Sequence, residues 1–191
     1  MATVAAGHSR LIDIGVVNDR TFVNNGSIGA YPRLVWDRNR VRRRGVPRPL
    51  ASVIAAVQAW RELRFASIRL TIDDVEQALR TPFVFIGNGK YEVEGVSLGR
   101  RSRLTDGKLS LYVARESGRL GVLSLPIRAL LGTLKRYEKF EIWRASTIVI
   151  DSPQPRIAVA LDGEVVVLNP PLQFSVRREA LRVIVPADDG H

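Results

Sequence analysis

The sequence predicts a mainly β fold, a sandwich of antiparallel sheets with a few peripheral α-helices, and three observations carry that expectation. The last third is a series of short β-branched runs separated by turn residues, of which residues 155–171, PRIAVALDGEVVVLNPP, are the clearest. Apolar runs of strand length recur earlier, at residues 10–17, 67–72, 81–86, 109–114 and 143–150. Helical segments fall between some of these runs but not in regular βαβ alternation, so the strands are expected to pair antiparallel.

Taken in order, residues 1–9 carry no pattern and read as a tail or linker remnant, and residues 10–191 read as one sandwich domain. Residues 10–17 (RLIDIGVV) form a strand, Asn18-Asp19 turns it, and residues 20–24 return it. Residues 25–32 (NGSIGAYP) read as a loop leading into a helix, with Asn and Gly free to take left-handed conformations. A helix is expected over 33–44, ending in the basic cluster Arg38, Arg40, Arg42, Arg43 and Arg44. Pro47 and Pro49 punctuate the chain before a second helix over 50–63, whose Leu50, Val53, Ile54, Val57, Trp60 and Leu63 share one face. Residues 67–72 are a strand, Asp73-Asp74 a turn or N-cap, 75–79 a short connector and 81–86 a buried strand.

Residues 87–107 are the least regular part, with glycines at 87, 89, 95, 99 and 107. They match neither G-x-G-x-x-G nor G-x-x-x-x-G-K-[ST], so neither dinucleotide-fold nor P-loop chemistry is read here. A strand follows over 109–114, a helical pattern divided by Pro126 over 120–134, and a strand over 143–150. After the Asp-Gly hairpin, two short strands over 172–176 and 181–185 close the chain.

Composition narrows the chemistry. At 191 residues, 46% hydrophobic and 25% charged, the chain suits one domain with a real core. No apolar run approaches the roughly 20 residues of a membrane span, and Met1–Gly7 lack the features of a signal peptide, so neither span nor export is expected. There is no cysteine, and the two histidines, His8 and His191, lie near opposite termini. Disulfides and thiolate metal sites are therefore excluded, and histidine-dependent nucleophilic catalysis is disfavoured. The net charge of +10 favours polyanions: nucleic acid, anionic lipid or phosphorylated ligands. Nucleic acid is not expected, because Trp36, Trp60 and Trp143 sit in helix or strand patterns and no stacking platform or recognition helix is evident.

The Asp162-Gly163 hairpin holds the candidate site. A type I′ turn needs positive φ at both central residues, which Asp-Gly supplies. Leu161 and Glu164 then lie opposite each other, placing the Glu164 carboxylate on the face of an apolar row. Two readings stand at this point: Asp162 serves the turn with Glu164 solvated at its mouth, or the pair supplies a general base or metal-facing acid.

Three further stretches, FVNNGSIG at 22–29, FIGNGKY at 85–91 and LTDGKL at 104–109, precede Asp162-Gly163-Glu164 in that order. Together they resemble the C-terminal half of the diacylglycerol kinase family, which includes bacterial lipid kinases and the sphingosine and ceramide kinases, over about Leu11 to Pro186. In that family the nucleotide lies between an N-terminal α/β domain with a Gly-Gly-Asp-Gly-Thr loop and a C-terminal β-sandwich. That loop has no counterpart here, so the resemblance implies a missing nucleotide-binding domain and little activity for this chain alone.

It further implies a lipid kinase that uses ATP and Mg²⁺ to phosphorylate a lipid hydroxyl, diacylglycerol or similar, with Glu164 as the catalytic carboxylate and Asp162 beside it. Mg²⁺ would be held by Asp106 and by the main-chain carbonyls of Arg103 and Lys108; a plain Asp-Gly turn is the alternative for Asp106. Glu92 and Glu94 stand where the family has additional glycines, so that loop is given no phosphate-binding role. The expected location is cytoplasmic and peripheral, at an anionic membrane surface that the Arg38–Arg44 cluster could meet, with a homodimer left open. The competing reading is a non-catalytic basic sandwich that binds anionic membrane lipids.

Overall fold

The computed structural model describes residues 7–29, 65–91, 101–103, 105–115 and 140–185, and every regular element among them is a strand. One six-stranded antiparallel sheet has the order β2-β1-β14-β11-β4-β5, built from β1 (Ser9–Val17), β2 (Arg20–Phe22), β4 (Ala66–Ile72), β5 (Val75–Thr81), β11 (Thr147–Asp151) and β14 (Leu172–Ile184). The other has the order β10-β9-β6-β3-β12-β13, from β3 (Asn25–Gly29), β6 (Phe83–Asn88), β9 (Leu109–Ala114), β10 (Phe140–Ala145), β12 (Ile157–Leu161) and β13 (Glu164–Leu168). A two-stranded ribbon, β7 (Lys90–Tyr91) with β8 (Arg101–Arg103), extends beyond β6. The helices expected over 33–44, 50–63 and 120–134 lie outside the described residues, as do Glu92, Glu94 and the Arg38–Arg44 cluster.

The two large sheets share one core. Val17, Phe22, Leu70, Ile148, Leu172 and Phe174 from the first pack with Ile86, Leu109, Leu111, Val113 and Val159 from the second, as the period-two alternation of inward side chains requires. Phe174 is fully buried and meets Phe22 edge-on, with ring centroids 6.2 Å apart. Phe174→Ala is expected to lower unfolding free energy by about 3–5 kcal/mol in urea titration, through lost transfer energy and the cavity left behind.

The expected hairpins form. Asp162 and Gly163 have φ of 48° and 89°, the positive pair a type I′ turn demands, and Leu161 pairs with Glu164. Asn18, at φ 49°, turns β1 into β2, with Val17 opposite Arg20.

Four expectations are corrected. Residues 75–79 are no connector but most of β5, entered through Asp73 and Asp74 at φ 40° and 73°. As an edge strand β5 buries only one face, and Val75 is exposed, which removes the apolar signal. Residues 25–29 are a strand rather than a loop. Their glycine content reflects close packing, because a Cβ on Gly26 would lie 3.2 Å from both Leu161 and Phe174.

The run 143–150 is two strands in different sheets, broken at Ser146, where Asp73 Oδ1 accepts the N–H groups of Ser146 and Thr147 at 3.1 and 3.2 Å. Residues 172–184 are one strand rather than two. The polar RREA segment that reads as a turn is a bulge: Ile12 pairs with Leu181 but Ile14 with Arg177, and Glu179 has φ 49°.

Candidate functional site

Strand register brings all four sequence motifs to one end of the second sheet. Leu161 pairs with Glu164 and with Gly26, Asn25 with Gly87, and Asn88 with Leu109. The turns and loops beyond these residues are therefore neighbours, although up to 139 positions separate them in sequence.

Asp162 works on the backbone of the 22–29 motif. Its carboxylate accepts the N–H groups of Val23 and Asn24 at 2.7 Å each and of Asn25 at 2.9 Å, while its own N–H donates to the Asn25 carbonyl at 2.9 Å. A carboxylate facing three amides is a latch, with both oxygens committed to holding the chain. Asn88 continues the network. Its N–H donates to the Asn24 carbonyl at 2.9 Å, and its buried Nδ2 donates to the carbonyls of Val23 at 3.0 Å and Asp13 at 2.7 Å.

Asp13 ties the two sheets together at this end. It is 3% exposed, and its Oδ1 accepts the Glu179 N–H at 2.9 Å while Oδ2 accepts the Gly107 N–H at 2.8 Å. One side chain thus satisfies an amide in the β14 bulge and another in the 105–107 loop. Sequence reasoning passed over Asp13, Asn88 and Arg144. The available signals were a carboxylate inside an apolar run, an amide between two glycines, and a cation closing the β10 alternation.

Glu164 differs from these residues. It is exposed at the start of β13, and no described side chain pairs with it. As register requires, it sits across from Leu161 on the side of the sheet that carries Val166 and Leu168, at the rim of the core. Of the motif carboxylates Asp106, Asp162 and Glu164, it is the one with no described side-chain partner.

Asp106 lies at the far side of the cluster. Its Oδ2 pairs with Arg144 Nη2, and its Oδ1 accepts the Lys108 N–H at 3.2 Å. The Lys108 carbonyl accepts the Gly89 N–H at 3.1 Å, and Arg103 pairs along its backbone with Lys90. Four strand spacings separate β13 from β9, about 19 Å, so Glu164 and Asp106 do not share one ion.

The Asp106 set as folded does not fit Mg²⁺. That ion is bound through one or two carboxylates with retained waters in near-octahedral array, whereas the carboxylate here is already paired with a guanidinium. No group of three or more metal-ligating side chains occurs among the described residues.

Residues 29–185 match the family described as the YegS C-terminal NAD kinase beta sandwich-like domain. The chain belongs to this family. The match covers most of the sandwich described above and bears out the resemblance read from the four motifs, as well as the expected fold.

Solved structures place this YegS-type domain beside larger proteins. A diacylglycerol kinase of Bacillus anthracis str. Sterne aligns over 97% of this chain and 57% of its own, with TM-score 0.62 and 14% identity. A second protein of that organism, a proposed diacylglycerol kinase, aligns over 97% of this chain and 60% of its own, with TM-score 0.69 and 17% identity. At such identities the likeness is one of fold. The chain spans 57–60% of the length of these two proteins.

Proposed function

We propose that this YegS-type domain is the C-terminal part of a lipid kinase that transfers the γ-phosphoryl group of ATP to a lipid hydroxyl, diacylglycerol or a close relative. The observation that carries the reading is the convergence of four motifs on one sheet end where, of Asp13, Asp106, Asp162 and Glu164, only Glu164 has no described partner. In the reaction the lipid oxygen attacks the γ-phosphorus and the bond to the β-phosphate oxygen breaks. ADP departs, and the hydroxyl proton passes to the Glu164 carboxylate. Asp162 holds the Asp-Gly turn against residues 23–25 and so fixes where Glu164 stands.

Nucleotide binding and charge stabilisation would come from a second domain, consistent with the share of the B. anthracis proteins that this chain spans. Because positioning and electrostatics supply most of the catalysis in phosphoryl transfer, this chain alone should turn over ATP and diacylglycerol negligibly. Any Mg²⁺ is placed with the nucleotide and not at Asp106. The direct test is an assay of the complete protein with ATP and diacylglycerol in mixed micelles. Phosphatidic acid is the expected product, and failure to phosphorylate any lipid hydroxyl would overturn the reading.

The +10 charge favours a peripheral position on anionic membrane, where each basic residue near the surface contributes about 1 kcal/mol. Binding to vesicles is expected to require anionic lipid and to weaken as salt rises. Equal binding to neutral vesicles would contradict it. If vesicle binding persists while the complete protein shows no kinase activity, the non-catalytic lipid-binding reading takes its place.

A further inference from the structure

We infer that Arg144 is the built-in counter-ion of the Asp106 loop, a covalently supplied cation that closes the loop without a divalent metal. The inference rests on what each candidate ligand is already doing. Asp106 Oδ2 accepts from Arg144 Nη2, Asp106 Oδ1 accepts the Lys108 N–H at 3.2 Å, and the Lys108 carbonyl accepts the Gly89 N–H at 3.1 Å. These three oxygens of the candidate set, two of Asp106 and one of Lys108, face a protein N–H instead.

The neighbouring strands bring Arg144 to this place. Arg144 lies on β10, the edge strand of its sheet, opposite Ser110 of β9. Asp106 stands four residues before Ser110, so the guanidinium reaches back past the start of β9 to meet it from outside. On the inner side, Asp13 Oδ2 accepts the Gly107 N–H at 2.8 Å. The Arg178 guanidinium packs on Gly107 so closely that a Cβ there would lie 2.2 Å from its Nε. The loop is thus fixed from both sides, by a carboxylate within and a guanidinium without.

The side chains of the pair are partly screened from water, Asp106 being 16% and Arg144 37% exposed. A guanidinium stays charged across the whole physiological range and is less strongly hydrated than an ammonium, which suits it to a partly buried carboxylate. A divalent cation entering here would have to displace it and would then meet the positive charge of Arg144 and of the Arg178 guanidinium packed on Gly107. The loop's geometry should therefore be indifferent to Mg²⁺ concentration, whatever the nucleotide requires.

The test is thermal unfolding of this chain in EDTA and in rising MgCl₂, for the wild type, Asp106→Asn, Arg144→Met and the double variant. A site filled at 100 times its Kd would raise the midpoint by about 5–10 °C. The expected wild-type midpoint is unchanged, the two single substitutions each lower it, and the double variant loses less than their sum, because the two residues act through one contact. A Mg²⁺-dependent rise in the wild type that Asp106→Asn abolishes would overturn the inference, as would strictly additive losses. A rise that survives Asp106→Asn belongs to another site and upholds it. If Arg144→Met fails to fold, the comparison of wild type with Asp106→Asn in MgCl₂ decides the question alone.

Discussion

Glu164→Gln in the complete protein is expected, on the proposed function, to lower kcat by about 10²–10⁴-fold, the usual worth of a positioned general base, with no change in thermal midpoint. The substitution preserves shape but removes the group that accepts the acceptor's proton. Its structural consequence should be nil, because Glu164 is exposed and pairs with no described side chain. The KM for ATP should hold as well, since the residue is assigned to the acceptor and not to the nucleotide. Steady-state kinetics with ATP and diacylglycerol check both parameters.

Asp13→Ala is expected to lower stability by about 4 kcal/mol, as much as emptying the Phe174 site, because hydrogen bonds to a charged group are each worth about 1.5–3 kcal/mol. The side chain is 3% exposed and serves two amides, Glu179 at 2.9 Å and Gly107 at 2.8 Å, and water has little access to replace it. The loss divides between the β14 bulge and the 105–107 loop, so both should lose hydrogen-exchange protection together. Urea titration measures the free energy, and a change below about 1 kcal/mol would show that water or a rearranged loop serves the two amides equally well.

The fold was legible where local chemistry decides it. Asp162-Gly163 announces its own turn, and the resulting register places Glu164 against Leu161 without further information. The core runs at 81–86 and 109–114 were nearly as plain, since β6 and β9 lie in the interior of their sheet, although β6 is Phe83–Asn88 and Thr81 belongs to the edge strand β5. Edges and crossings were not legible. β5 buries one face and looked like a connector, and the break at Ser146 is held by Asp73, distant in sequence, which accepts the Ser146 and Thr147 amides. The β14 bulge read as a turn for the same reason: its backbone is held by Asp13, which accepts the Glu179 N–H from 166 positions away.

The candidate site follows the same division. Motif order pointed to Glu164, Asp162 and Asp106, but which of them is open to a ligand depends on long-range partners that no local pattern reveals. Asp162 and Glu164 are two residues apart, yet one is locked to three amides and the other is free of described partners.

The most direct measurement is therefore a side-by-side comparison of Glu164→Gln and Asp162→Asn in the complete protein, reading kcat and thermal midpoint for each. The expected result is a division of labour. Glu164→Gln loses turnover at an unchanged midpoint, and Asp162→Asn lowers the midpoint while molecules that remain folded keep more turnover than Glu164→Gln. Full turnover in Glu164→Gln, with turnover lost in a fully stable Asp162→Asn, would contradict the account and move the catalytic role to Asp162.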